Sequence, residues 1–484
     1  MLRRPVNNDW SGQQFPHAGT RRPIVGDLGV SDPRSPVLSI LTWAADLGPI
    51  FEMQIFRQKF VFVGSAELTA ELCDESRFCK AIPPAISALR QYAGDGLFTA
   101  YNDEPNWQLA HELLIPAFTK NAMRSYHPTM SATASELFAY WDRRATDSNA
   151  PDRHVTDTDV TRDMTKLTLE TLTRTAFSQD FGSFSSAQPH PFIEAMIRAL
   201  ETGRRKGGLA TAPGGRYLLR YLDRRNAEHQ NYVDSLLDEV IAARADNPSR
   251  DDLLGIMLNV AHPETGEKLS MLNIRHQILT FLVAGHETTS GALSFTLYYL
   301  SQNPDCLARA QAEADEILGP QPSAMPTFEQ VPKFRYIRRC LDEALRIWPT
   351  VPGFARSPLA DTVIGGGHRM RPQDWAIILL GLVHRDPTVW ENPDTYDPDR
   401  FLATQVKKRP AHSYKPFGSG LRACIGRQFA LHEAVLVLAS LLHRYDLSPD
   451  PAYTLAIDER LTMVPKDFHL TLEKRKTPAV VGPA

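Results

Sequence analysis

The sequence predicts a mainly α-helical protein, and three segments carry that prediction. Residues 271–303 read as one uninterrupted helix whose length, at about 1.5 Å per residue, comes to roughly 50 Å, enough to cross a large domain. Residues 427–442 form a second apolar helical run, opening straight out of a loop with glycines at 418, 420 and 426. Between them, Leu341-Asp-Glu-Ala-Leu-Arg346 sets Glu343 and Arg346 at i and i+3 on a helix. With 484 residues, 43% hydrophobic and 23% charged, the chain can bury a large core. No linker divides it, so one domain is expected over residues 37–475. An extended lead-in, residues 1–36, precedes it, and a tail, 476–484, follows.

Taken in chain order, the first chemical signal is Trp107 with His111, one turn apart, so that an indole N–H and an imidazole can face one carboxylate. Alone, the pair reads more simply as core and rim of a helix. The long helix can be capped by Ser270 and stopped before Pro304. Within it Ala284 and Thr288 share a face, with Phe281 one turn earlier. A mid-helix glycine costs roughly 1 kcal/mol relative to alanine, so Gly285 needs a reason, and close approach of a planar group would be one. Thr288 can turn its hydroxyl to the Ala284 carbonyl and open the ladder to a water, with Glu287 feeding protons from outside. The plainer alternative is a back-bonding threonine that bends a core helix beside a surface glutamate. Glu343 and Arg346 alone would be a surface ion pair worth about a few tenths of a kcal/mol.

Five cysteines form no CxxC pair and no zinc-like cluster, which fits a reducing cytoplasm and argues against a disulfide framework. The N-terminus has no apolar run near the roughly 18 residues needed to span a bilayer, so a soluble cytoplasmic protein is expected. A net charge of −3 argues against a nucleic-acid partner.

Cys424 sits among those three glycines, beside Arg422 and at the start of the helix beginning with Arg427. Glycine lets the backbone bring N–H groups near the sulfur and the helix adds its positive end, so Cys424 is expected to be a thiolate. A thiolate open to space can be the axial ligand of a haem iron. The segment Phe417 to Gly426 reads FxxGxRxCxG, and resembles the haem-binding signature of the cytochrome P-450 family.

That resemblance implies a mainly α fold with a smaller β-rich region, the triangular helical prism around haem b. It implies Cys424 as the iron ligand, with Phe417 packed near the sulfur and Gly420 and Gly426 shaping the loop. Arg422, Lys80, Trp107 and His111 become partners of the haem carboxylates, and Ala284 and Gly285 border the oxygen groove. Glu287 and Thr288 look like the family's acid–alcohol pair. Glu343, Arg346 and Arg400, the last in Pro398-Asp399-Arg400-Phe401, resemble its scaffold residues.

The likeness is greatest to the haem domains of bacterial self-sufficient fatty-acid hydroxylases, through residues 94–99, 284–291 and 415–426. It implies a substrate pocket lined by Phe98, Phe281, Ala284, Val351, Gly353 and Leu461. Where that branch anchors a carboxylate with arginine and tyrosine, this chain has Gln58 and Phe62, with Arg57 or Lys59 as substitutes. The expected activity is insertion of one atom of O2 into a C–H bond of an apolar small molecule, a fatty acid or natural-product intermediate. No flavin- or NADPH-binding region follows, so electrons are expected from a separate ferredoxin or flavodoxin with its reductase, docked near Lys407, Lys408, Arg409, Lys415 and Arg427. Peroxygenase, oxidative-coupling or nitration chemistry, and a haem-binding sensor without turnover, are the alternatives.

Overall fold

The computed structural model describes residues 10–475 apart from 11, 33, 57, 147–154, 186–189, 192–194, 196–230, 243 and 245–251. Its axis is the helix Met271–Gln302. Ser270 caps it, the hydroxyl accepting from the Asn273 N–H at 3.2 Å, and Pro304 opens the next helix, Pro304–Leu318. Around this axis pack the helices Lys120–Thr146, Val160–Phe177, Arg335–Ile347 and Arg427–Arg444. Their apolar faces merge in one core, where Leu293 and Phe295 meet Ile337, Leu341 and Leu438.

The β-rich part stands to one side. Five strands run in the order Ile50–Ile55, Gln58–Val63, Ala376–Leu379, Gly353–Pro358 and Phe78–Ala81. All neighbours are antiparallel except Gln58–Val63 with Ala376–Leu379. The last pairing sets Lys80 opposite Arg356, an unusual place for two cations. The expected lead-in is fastened to this sheet. Trp10 is fully buried, its backbone N–H donates to Asp374 at 2.8 Å, and its ring meets Phe15 edge-on at 5.1 Å. Two aromatic anchors outweigh the loop-like composition between them. The tail, 476–484, lies outside the described residues.

Glu343 and Arg346 are completely buried and joined by two bonds of 2.7 and 2.9 Å. Such a pair withstands desolvation only if its remaining hydrogen-bonding groups are used. Here Asp397 N–H donates to Glu343 at 2.9 Å, Arg400 approaches the same carboxylate at 3.3 Å, and Arg346 donates to the carbonyls of His384 and Thr395. The His384 Nε2 in turn accepts from the Lys415 N–H at 2.9 Å. Burial and Arg346 push the His384 pKa down to about 3, so the ring stays neutral and keeps that lone pair. Two hydrogen bonds in series, through His384, therefore run from a core helix to the loop that carries Cys424.

A second buried acid has no such support. Neither carboxyl oxygen of Glu433 has a hydrogen-bond partner, and burial raises its pKa to about 8. Because the folded state keeps a proton that the unfolded chain releases at lower pH, stability falls as pH rises from the ordinary glutamate range toward 8. Glu433→Gln should therefore raise the melting temperature little at pH 5 and progressively more up to pH 8, each unit of pKa difference being worth about 1.4 kcal/mol at most. Thermal melts across that range check it, and an equal shift at both ends would contradict the buried proton.

Candidate functional site

The cysteine loop is closed by the Cys424 N–H donating to the Phe417 carbonyl at 2.8 Å, with Gly418 and Gly420 at φ +73° and +70°. A Cβ on Gly420 would overlap the Glu75 carboxylate, which accepts from the Leu421 N–H at 2.7 Å. That glycine serves the turn and its docking on Glu75. Gly426 has an ordinary φ of −81°, but a Cβ there would stand 3.9 Å from the Cys424 sulfur, so glycine keeps the sulfur's surroundings open. Phe417 is half-buried, with the Arg427 guanidinium 5.7 Å from its ring centre. Although Cys424 is exposed, the protein packed around it raises the thiol pKa, while the Gly426 N–H and Arg427 lower it. A cation bonded to the sulfur would lower it further.

Opposite chemistry lies on the long helix. Ala284 is exposed although Phe281, Leu282, His286 and Glu287 around it are buried, and Cys424 is exposed too. Ile425 packs against the apolar cluster that contains Phe281, with Val283 at its edge. Ala284 and Cys424 thus adjoin one apolar cluster, and we take the space beside them as the candidate site. Thr288 donates its hydroxyl to the Ala284 carbonyl at 2.8 Å, as its spacing allows. Glu287 is buried with neither oxygen hydrogen-bonded, and Arg460 stands 3.7 Å away. Burial raises its pKa and Arg460 partly offsets that. At Gly285 a Cβ would press on the Leu172 side chain at 3.0 Å. Close packing against the helix Val160–Phe177 is one reason for this glycine.

At one edge of the space, cations gather. Trp107 stacks on His111 with ring centres 4.7 Å apart, and Arg422 lies 4.3 Å above the indole. Burial, then Arg356, lowers the Arg422 pKa to about 10, and burial with Arg422 and Arg356 pushes Lys80 well down. His111 is lowered by burial and Arg422. Among the described residues no ion pair forms to Lys80, Arg356 or Arg422, and Arg356 is buried with its Nε unpartnered. Arg356 was not expected from the sequence; a lone arginine in the apolar strand Gly353–Pro358 was its only local sign. Crowded, dehydrated cations without an acid fit a ligand bearing two carboxylates. The open sulfur fits its metal, so the residues present suit a haem.

The expected pocket is partly assembled. Met463 N–H donates to the Thr350 carbonyl at 2.8 Å, and a Cβ on Gly291 would meet both segments. Val351 and Leu461, both half-buried, therefore come to the same side of the long helix. Phe281 stacks on Phe118 at 5.8 Å, and Phe98 lies under Lys80 at 5.1 Å. Gly353 is a correction, because its missing side chain faces the Ile378 carbonyl at 2.2 Å and serves strand pairing. Lys59 does not offer a free charge, being 3.1 Å from Glu52, and Arg57 lies outside the described residues. Phe62 is buried against Phe51, and Gln58 is buried with an unpartnered amide nitrogen. Arg409 is also withdrawn from the expected docking surface, stacked 3.9 Å over Trp390.

Comparison with known proteins agrees with this geometry. The family model described as Cytochrome P450 matches residues 16–472. A bifunctional cytochrome P450/NADPH–P450 reductase of Bacillus cereus is 42% identical over 97% of this chain and 43% of its own length. A bifunctional cytochrome P450/NADPH–P450 reductase of Bacillus subtilis is 42% identical over 96% of this chain and 43% of its own. A self-sufficient cytochrome P450 monooxygenase of Phanerodontia chrysosporium is 37% identical over 93% and 42%. The chain thus spans less than half the length of these relatives.

Arg356→Met should separate the two faces of the cation cluster. Because Arg356 also donates to the Ser419 carbonyl at 2.7 Å, the haem-free protein should change little in stability, that lost bond of about 1 kcal/mol offsetting the relief of an unpaired buried charge, while haem should leave about tenfold faster, as expected for one lost charge-assisted hydrogen bond. Thermal melts of haem-free protein and transfer of haem to a scavenging protein measure the two. Unchanged haem transfer would remove Arg356 from the cradle.

Proposed function

The chain belongs to the cytochrome P450 family, whose cofactor is haem b, and from that premise we propose that it inserts one atom of O2 into a C–H bond of an apolar small molecule. A fatty acyl chain is the first candidate, with natural-product scaffolds next. When held by Cys424 with its carboxylates among Arg356, Arg422, Lys80, Trp107 and His111, haem supplies the activation of O2.

The observation that carries the reading is the Glu287–Thr288 pair. Glu287 holds a buried carboxyl whose pKa is raised by burial, while Arg460 at 3.7 Å steadies the carboxylate left when the proton is given up. Thr288, on the next residue, presents its hydroxyl oxygen at the space beside Ala284. That oxygen can accept a hydrogen bond from a water while its own hydrogen points at the Ala284 carbonyl; to pass a proton inward the hydroxyl must turn that hydrogen away from the carbonyl and donate it as it takes the water's. Such a relay is needed where O2 must be protonated and is superfluous where peroxide is the oxidant, which favours the monooxygenase over a dedicated peroxygenase. Phe98, Phe281, Val351 and Leu461 exclude water and hold the apolar substrate.

Electrons come, in this reading, from an acidic ferredoxin or flavodoxin docked on the cysteine side. Lys407, Lys408 and Arg427 are exposed there, beside exposed Leu402 and Val406, a mixed surface suited to steering and then burial. Thr288→Ala should keep consuming electrons while peroxide rises and product falls by about a hundredfold, the low end for one proton-transfer group; unchanged coupling of electrons to product would sink the relay. Replacing Lys407 and Lys408 together by glutamate should slow reduction by an acidic donor severalfold at low salt and little at high salt, since charge steering is screened within about 10 Å at 0.1 M. Stopped-flow reduction at several ionic strengths reads this directly.

A further inference from the structure

The loop carrying Phe98 is fastened to the long helix by one carboxylate. Asp95 Oδ1 accepts from His276 Nδ1 at 2.7 Å and from the Asn273 amide at 2.9 Å, while Oδ2 accepts from the Asn106 amide at 2.6 Å. His276 and Asn273 lie on the first two turns of the long helix, and Asn106 on Pro105–Leu114, the helix of Trp107 and His111. A carboxylate only accepts, so His276 Nδ1 carries the proton of that bond. One side chain thereby ties together the loop and both neighbouring helices.

The loop lies as close to the long helix as a backbone can. A Cβ on Gly94 would stand 2.1 Å from the His276 ring, and Gly94 is at φ +42°, a conformation suited to glycine. A Cβ on Gly96 would stand 2.3 Å from the Thr280 hydroxyl and 2.9 Å from the His276 carbonyl. Leu97 N–H then donates to Gln277 Oε1 at 3.0 Å, so the clasp continues to the residue just before Phe98. On the far side the Phe98 carbonyl accepts from Lys80 at 2.5 Å. Between the Asp95 clasp and Lys80 the Phe98 backbone has little freedom to move.

We propose that the Asp95–His276 clasp is a specificity device, in which His276 acts as a positioning residue that sets where the Phe98 ring stands and so which part of a ligand reaches the reactive side. It rests on the reading above that Phe98 bounds the substrate pocket of a haem-thiolate enzyme. The clasp touches no substrate. Its effect must therefore appear for ligands long enough to meet Phe98 and vanish for those that are not.

The test uses the haem-loaded protein and two iron-binding probes, imidazole and phenylimidazole, each titrated by the shift of the Soret band. His276→Leu, which removes the donor, should change the phenylimidazole dissociation constant by about fivefold and that of imidazole by less than about twofold, since the hydrogen bond lost is worth at least that ratio. His276→Gln, whose amide can still donate to Asp95, should stay close to the parent. If His276→Leu leaves both constants unchanged while Phe98→Ala shifts the phenylimidazole one, the clasp is mere loop packing and the pocket reading survives. If Phe98→Ala shifts neither, the pocket reading fails and takes the proposal with it. A change of equal size for both probes would mean general disruption and would overturn the clasp as well. Should His276→Leu not retain haem, Asp95→Asn, which keeps the side chain's shape, is read by the same two probes with the same outcomes.

Discussion

Buried Arg356 and half-buried Arg422 and Lys80 stand together beside the cysteine loop without an acid paired to them among the described residues, and most of the site's organisation follows from that imbalance. Dehydrated like charges repel strongly, and a fold keeps them together only if something negative completes them. The sulfur poses the complementary problem, for the protein around it raises its pKa and a cation bonded to it would lower it. A ligand with a metal at its centre and carboxylates at its rim answers both demands at once. Neither the cation cluster nor the thiol makes electrostatic sense alone.

Holding these two half-sites in register falls to the scaffold. The Glu343–Arg346 pair is an expensive thing to bury, and it is tolerable here because nearly every donor and acceptor around it is engaged. Through the His384 carbonyl and the neutral His384 ring it fixes the Lys415 N–H, and so the start of the cysteine loop. The loop's other end is fixed by the Cys424–Phe417 bond and by Glu75 against Gly420. The sulfur is thus positioned by backbone hydrogen bonds at several points, while its own flank at Gly426 is left open.

What was legible in the sequence was local. The helix caps, the Thr288 hydroxyl on the Ala284 carbonyl and the turn around Gly418 and Gly420 all depend on residues a few positions apart, and spacing alone encodes them. Gly285 and Gly353 were equally visible as glycines, yet reasons for them lie in Leu172 and in the Ile378 carbonyl, partners distant in the chain. Arg356 escaped notice because its meaning comes from β pairing with Lys80 and from the approach of Arg422. At Cys424 the groups that favour a thiolate are local and visible, whereas the surrounding protein that opposes them is a property of the whole fold.

The substrate side and the cofactor side also share a piece of backbone. Four consecutive carbonyls each accept from a cationic side chain: Leu97 and Ala100 from Arg422, Phe98 from Lys80 and Thr99 from Arg90. Two of those three cations belong to the carboxylate cradle, and the residue in the middle carries the ring assigned to the pocket. A shift of Phe98 must therefore move an acceptor of Lys80, and a change at Arg422 must relax the loop. Residues joined through one such network do not act additively. Substitutions at residues 94–100 should be read in haem retention as well as in ligand choice, because the same few bonds serve both.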